Sequence, residues 1–281
     1  MGKVAILTDS SVYLPKNLTD ELNISVLPLI LNWDGQSYYD GVDIQAEEFY
    51  TRLSTSSTIP TTSQVTVQQF DDAFGRLLKE GYDVLALVLS SSVSGTFESA
   101  FQAQKNYSGK PIEVVDTRLV SMALGFMVLA AARAAKEGVS LAECKAIAAD
   151  SYAKIGVYFT VDDLKYLNKG GRINTAKRLL GSIMDIKPLM EIRDGKIELI
   201  ESVKSRKKAI ARMLELAEKR INGATPVRIS SFHALALEEA QELMTTAQER
   251  FNPIESILTE VCPAVGTHTG PGTLSLAFMA G

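Results

Sequence analysis

Four serines, a glycine and a threonine stand almost side by side in Ser90-Ser91-Ser92-Val93-Ser94-Gly95-Thr96. They follow residues 84–89, an unbroken apolar run of strand length, and precede residues 97–105, where Phe97, Ala100 and Phe101 recur at helical spacing. A hydroxyl-rich turn between a buried strand and a helix N-terminus gathers free backbone N–H groups and short polar side chains at one spot, which is the chemistry that receives an anion. Helix capping by Ser94 would account for one of the four serines. A second reactive group is His268, one of two histidines, flanked by Thr267 and Thr269 in a stretch where Gly270 and Gly272 leave the backbone open to a ligand. A third is Arg172, directly after Gly170-Gly171. It either brings a guanidinium to a carboxylate or phosphate, or is a surface arginine beyond a helix stop.

Several chemistries find no support. There is no G-x-x-x-x-G-K-[ST] loop, and the nearest approach to G-x-G-x-x-G starts at Gly270, ends on Ser275 and has no strand read before it, so the chain alone is expected to hold no nucleotide. A serine hydrolase would take Ser94 as nucleophile, His268 as base and Asp9 or Asp116 as the orienting carboxylate, but the G-x-S-x-G elbow is missing. Cys144 and Cys262 fit neither a disulfide framework nor a paired-thiolate motif, and with only His233 and His268 to add, no metal site is expected. A formal net charge of -4 gives nucleic acid no electrostatic reason to bind. No secretory signal pattern and no run of about eighteen apolar residues occurs, so a cytoplasmic protein not embedded in a membrane is expected. The basic group Lys204, Arg206, Lys207, Lys208 and Arg212 reads as a solvated helix face or as part of a face for an acidic partner.

These groups need a frame to position them. With 281 residues, 46% of them hydrophobic, the chain can bury a large core split between two domains. Apolar runs at 4–7, 84–89 and 112–115 alternate with helical patterns at 66–79, 97–105 and 119–135, which predicts a mainly parallel sheet with helices on both faces. A strand is also read over 24–31, turned back by Asp34-Gly35 onto 37–39, and the Ser/Thr tract 54–63, which holds Thr62 and Ser63, reads as a loop. From residue 156 the pattern changes. A strand at 157–161, a hairpin of 187–192 and 196–203, a helix over 206–221 capped by Ser205, and a strand, helix and strand at 227–231, 237–251 and 254–259 predict a mixed α/β unit, closed by a glycine-rich loop at 266–272. The expected architecture is therefore α/β, with an N-terminal domain over 1–155 and a C-terminal domain over 156–281. The helix at 119–135 has almost no polar face and must be enclosed; it is either a core helix or the wall of a tunnel for something long and apolar.

Five stretches carry a resemblance when taken together and in order. They are Thr8-Asp9-Ser10, Thr61-Thr62-Ser63-Gln64, the serine-rich turn at 90–96, Asp162-Asp163-Leu164-Lys165-Tyr166-Leu167-Asn168-Lys169-Gly170-Gly171-Arg172-Ile173, and His268-Thr269-Gly270-Pro271-Gly272. Together they resemble the DegV family over nearly the whole chain. That resemblance implies two α/β domains with a fatty acid in a buried channel and its carboxyl group at the domain junction. It further implies the binding subunit of a bacterial fatty acid kinase, active in phospholipid metabolism and not catalytic alone. Such a subunit presents the acid to a separate catalytic subunit that brings ATP and magnesium and makes acyl phosphate; no metal or further cofactor is implied for this chain.

By motif, the carboxylate-binding hydroxyls fall on Thr62 and Ser94, the histidine on His268 and the arginine on Arg172, with Ser63, Gly95 and Thr96 as additional candidates. Two positions depart from the pattern: Val65 stands where proline is common, and Ser275 where glycine is frequent. The alternatives are a carbonyl-binding subunit like that of dihydroxyacetone kinase, with His268 forming a covalent adduct, or a serine hydrolase.

Overall fold

The computed structural model describes residues 2–179 and 186–281. The first half contains β1 (Lys3–Asp9), β2 (Ser25–Leu27), β3 (Ile30–Trp33), β4 (Gln36–Tyr39), β5 (Thr61–Ser63), β6 (Tyr82–Val88) and β7 (Ile112–Asp116). Four of these make a parallel sheet ordered β2-β1-β6-β7, and the other three a small antiparallel sheet ordered β4-β3-β5. The run expected as one strand over 24–31 is two strands in two different sheets. Pro28 breaks it, because proline offers no N–H to a ladder, and the next amide, Leu29 N–H, donates to Ser10 Oγ at 3.0 Å. The Ser/Thr tract is likewise not all loop, since its end forms β5, paired to β3.

Helices α1 (Lys16–Glu21), α2 (Ala46–Thr55), α3 (Val67–Lys79), α4 (Thr96–Gln104), α5 (Ser121–Lys136) and α6 (Leu141–Ser151) complete this half. The α3–α4 pair packs on β6 and β7, and the α5–α6 pair on β1 and β6. Val84 to Val88 are consequently buried on both sides of the sheet, as an unbroken apolar strand requires. Of the residues at helical spacing, Ala100 is buried while Phe101 is exposed and stacks on Phe97.

The second half builds a mixed sheet from β8 (Ile155–Thr160), β9 (Lys187–Arg193), β10 (Lys196–Val203), β11 (Val227–His233), β12 (Glu255–Glu260) and β13 (Leu274–Ala280), in the order β10-β9-β8-β13-β11-β12. Its helices are α7 (Lys165–Lys169), α8 (Arg206–Ile221), α9 (Leu237–Phe251) and α10 (Pro263–Thr269). The glycine-rich stretch expected to close this unit does not close it. The chain continues past the glycine-rich stretch into β13, whose seven residues are all buried and which lies between β8 and β11. Side-chain alternation sends Leu274, Leu276 and Phe278 to α8 and α9, and Ala277 and Met279 to the opposite face.

Helix α5 fills the space between the two sheets. It packs against β1 and β6 of the parallel sheet and against β8 and β13 of the mixed one, which is why Ser121 to Leu129 are buried without interruption. No helix among the described residues is long and apolar enough to cross a membrane. Because α5 is the common filling, Phe126→Ala, at 1% exposure, is expected to cost about 3–5 kcal/mol of stability in urea unfolding, with both sheets lost in one transition.

Candidate functional site

A cavity of about 460 Å³ lies where the carboxyl end of β6 meets the inner face of the mixed sheet, within the ~300–1,000 Å³ span of small-molecule pockets. Its greasy wall comes from both halves: Leu89 after β6, Val157 and Phe159 alternating along β8, Ile192 on β9 and Phe232 on β11. Of α5, only Ser121 at its very start reaches the cavity, next to Val120. The rest of that helix is core, not tunnel wall.

The four side chains singled out from sequence, Thr62, Ser94, Arg172 and His268, all line this one cavity. Thr62 Oγ1 lies 2.7 Å from His268 Nε2. Alternation along β5 turns Thr62 inward and its neighbours outward, so Ser63, although at the cavity edge, is exposed and accepts from Asn32 Nδ2 at 2.9 Å. Arg172 Nε donates to Val93 O at 3.0 Å, and Nη1 donates to Gly170 O. Gly170 in turn lies flat against the imidazole, and a Cβ there would collide with Nδ1. His268 stands on a helix, not in the expected loop, because Cys262 caps α10 by accepting from Val265 N–H and Pro263 supplies a ready first turn.

The serine-rich turn divides its labour. Ser90 is buried and donates to Gly195 O at 2.8 Å, latching the turn to the β9–β10 hairpin. Ser91 donates to Asp116 from both N and Oγ, at 3.1 and 2.5 Å. Ser92 is exposed. Among the four, only Ser94 faces the cavity, and its Oγ is 2.9 Å from Thr96 Oγ1. Thr96 is fully buried behind it and does not line the cavity; it also accepts from Val65 N–H at 3.4 Å. A proline at position 65 would have no N–H to give. Gly95 lines the cavity, and the Gln64 amide occupies the space where a Cβ would sit. Gln64 itself lines the cavity and donates to Ser99 Oγ at 2.8 Å; nothing in its residue type singled it out.

Directions of donation follow. Burial, helped by the positive charge of Arg172, lowers the pKa of His268 to about 4, so the ring is neutral. Nδ1 faces Gly170 and has no partner among the described residues. An orphaned buried N–H is rarer than an orphaned acceptor, so we assign the proton to Nε2, which then donates to Thr62 Oγ1. Thr62 keeps its own O–H to donate into the cavity. On the other side Val65 N–H gives to Thr96 Oγ1 and Thr96 N–H gives to Ser94 Oγ at 3.3 Å; we assign the shared proton of the two hydroxyls to Thr96, which leaves the Ser94 O–H for a ligand. The site thus presents two hydroxyl donors, each held from behind, beside a guanidinium.

Behind the cavity lies a buried acid network. Asp9 accepts from Ser11 N–H at 3.0 Å and from Leu89 N–H at 2.8 Å, where the serine turn begins. The adjacent Ser10 donates to Asp40 at 2.5 Å, and Asp40 also accepts from Ala264 N–H of α10 at 3.3 Å. Among the described residues neither carboxylate has a cation partner in an ion pair, and burial raises both pKa values, that of Asp40 to about 7. The folded pKa of Asp40 lies above its unfolded one, so its contribution to stability is present at low pH and lost as pH rises through about 7.

Other expected roles are not assembled. The Asp9 and Asp116 carboxylates are spent on the bonds just described and do not orient His268. No group of three or more His, Cys, Asp or Glu among the described residues is placed to hold a metal ion. Arg206 is not a free docking cation: it forks onto Glu239 and donates to Gly272 O, tying α8 and α9 to the turn after α10. Arg212 is paired with Glu201 and Glu215, which leaves Lys204, Lys207 and Lys208 exposed on this face.

The profile of the DegV family, described as uncharacterised proteins, matches residues 3–281. The chain belongs to the DegV family. A DegV domain-containing protein of Listeria monocytogenes is 33% identical over 277 residues, covering 98% of each chain. Among solved structures, a fatty-acid-binding DegV family protein of Thermus thermophilus superimposes with a TM-score of 0.94 at 29% identity, covering 99% of each chain. DegV of Bacillus subtilis, a fatty acid binding protein, gives 0.92 at 29% identity over 100% of both. DegV relatives of known structure therefore bind fatty acids.

In an NMR titration of this DegV chain, the His268 imidazole is expected to stay neutral until pH falls to about 4. Arg172→Gln removes the neighbouring charge and raises that midpoint. A His268 that titrates like a free imidazole, or that ignores the Arg172 change, contradicts the arrangement.

Proposed function

We propose that this chain encloses one long-chain fatty acid, with the alkyl tail along the apolar wall and the carboxylate against Thr62, Ser94, Arg172 and His268. The observation that carries the reading is a single cavity with a greasy wall and a set of held hydroxyl donors. Burying about fifteen methylenes at roughly 0.8 kcal/mol each has an upper bound near 12 kcal/mol before ordering costs. The tail accounts for affinity. A carboxylate taken out of water must recover several kcal/mol of hydration, which several donors at once can return. The head accounts for orientation.

In this reading the chain works in the cytoplasm and is not catalytic alone. It hands the oriented carboxylate to a fatty acid kinase catalytic subunit, which brings ATP and magnesium and forms acyl phosphate by in-line phosphoryl transfer. A carboxylate oxygen is the nucleophile, so this chain needs no base. A neutral His268, donating rather than accepting, suits that role. The two halves act as domains divided near residue 155, with the cavity at their junction, and Ser63, Gly95 and Thr96 support the head-group side chains without touching the carboxylate.

Native mass spectrometry of the purified protein is expected to show a bound species with the mass of a fatty acid; a sugar-sized adduct on His268, or ester turnover without ATP, would favour the dihydroxyacetone-kinase-like or hydrolase alternatives. Delipidated Ser94→Ala and His268→Ala are expected to bind fatty acid still, yet to support less than about a tenth of wild-type acyl phosphate formation with added kinase, the loss that one missing charge-assisted hydrogen bond of about 1.5–3 kcal/mol produces, removed directly at Ser94 and, for His268, through the Thr62 O–H that it no longer directs. Unchanged turnover in both would refute the assigned roles.

A further inference from the structure

Besides Thr269, next to His268, whose buried Oγ1 has no partner among the described residues, two hydroxyls on the cavity wall are left over by the carboxylate site. Ser275 is the first inward-facing residue of β13, on the face that continues with Ala277 and Met279, and it stands between Phe159 of β8 and Phe232 of β11 in the ladder. It is 1% exposed, lines the cavity, and its Oγ makes no hydrogen bond among the described residues. An apolar residue or glycine would suit a purely hydrocarbon wall here.

Ser121 is the other. It opens α5, lines the same cavity, is 7% exposed and also has no hydrogen-bond partner among the described residues. Its φ of 53° places a non-glycine residue in the left-handed region, a conformation that tends to be kept where a site needs it. No side chain caps α5, whose N-cap is Val120. The first-turn N–H groups of this 16-residue helix are therefore buried without side-chain acceptors, beside Met122 and Ala123. A helix start enclosed in this way normally finds a partner, and here it opens onto the cavity through Val120 and Ser121.

We infer that Ser121, Ser275 and the uncapped first turn of α5 form a second polar subsite that receives a hydroxyl carried on the ligand's chain, so that the preferred ligands are hydroxy fatty acids. The inference rests on the fatty-acid reading above and narrows it to a substrate class. The donors and the kind of charge present select this chemistry. Among the described residues Arg172 is the only lysine or arginine lining the cavity; its Nε and Nη1 are committed to Val93 O and Gly170 O, and its remaining charge serves the head carboxylate. A second carboxylate would thus be buried with no cation free to meet it, whereas a neutral hydroxyl can accept from the helix N–H groups and donate to a serine oxygen. A plain hydrocarbon chain leaves all of these groups unpaired.

The test compares a mid-chain hydroxystearate with stearate on delipidated protein by calorimetry. Wild type is expected to bind the hydroxy acid about tenfold more tightly, the factor that one added buried hydrogen bond supplies, and Ser275→Ala and Ser121→Ala to bring the ratio toward unity. Thermal melts of each variant establish that it is folded, and the ratio of the two acids within one variant cancels any general weakening. Equal affinity of wild type for both acids, as expected if the two serines merely hold water, overturns the inference, as does a ratio unchanged in both variants. If neither acid binds, the fatty-acid reading itself fails, an outcome distinct from equal binding.

Discussion

Two carboxylates, Asp9 and Asp40, are buried where the halves of this protein meet, in a place from which water is excluded and where, among the described residues, no cation is supplied. Charges so placed survive only if backbone amides and hydroxyls are delivered to them in fixed positions. Each acid holds a different half of the site. Asp9 takes the amide of Leu89, where the serine turn leaves the parallel sheet, and Asp40 takes that of Ala264, one turn before His268. Ser10 links them. The cost of ionising Asp40 inside the protein marks a position kept for geometry and not for stability.

Around that link the remaining contacts divide into latches and donors. Ser90 to Gly195, Arg172 to Val93 and Thr62 to His268 each connect an early segment of the chain to a late one, and α5 separates the two sheets while packing on both. The donors are supported from behind, through His268 for Thr62 and through Val65 and Thr96 for Ser94. A hydroxyl that already accepts one hydrogen bond has its proton directed to the other side, so the polar end is preorganised before any ligand arrives.

Much of this could be read from residue types alone. An unbroken apolar run followed by a hydroxyl-rich turn marks a strand that ends at a site, and Arg172 and His268 stood out against the glycines beside them. The division among the serines could not be read, because Ser90, Ser91 and Ser94 differ in function only through what the rest of the fold brings to them: a hairpin carbonyl, the end of β7, or the cavity. The apolar character of residues 119–135 likewise shows only that the helix is enclosed; that sheets enclose it, with the cavity only at its start, depends on the path of the chain. Two misreadings had visible signs. Pro28 in a supposed strand denied a ladder amide, and Leu274 to Ala280, seven residues with one serine, had the length and composition of a buried strand.

That last strand fixes the order in which the protein can become competent. β13 follows every other strand of the mixed sheet in sequence, yet it is an interior strand and brings Ser275 to the cavity wall. The parallel sheet is complete by Asp116 and can begin to organise while synthesis continues. The enclosure cannot close until β13 has left the ribosome and inserted between β8 and β11. A nascent chain that has not yet released β13 would therefore have its first sheet and its serine turn beside an open, unfinished cavity.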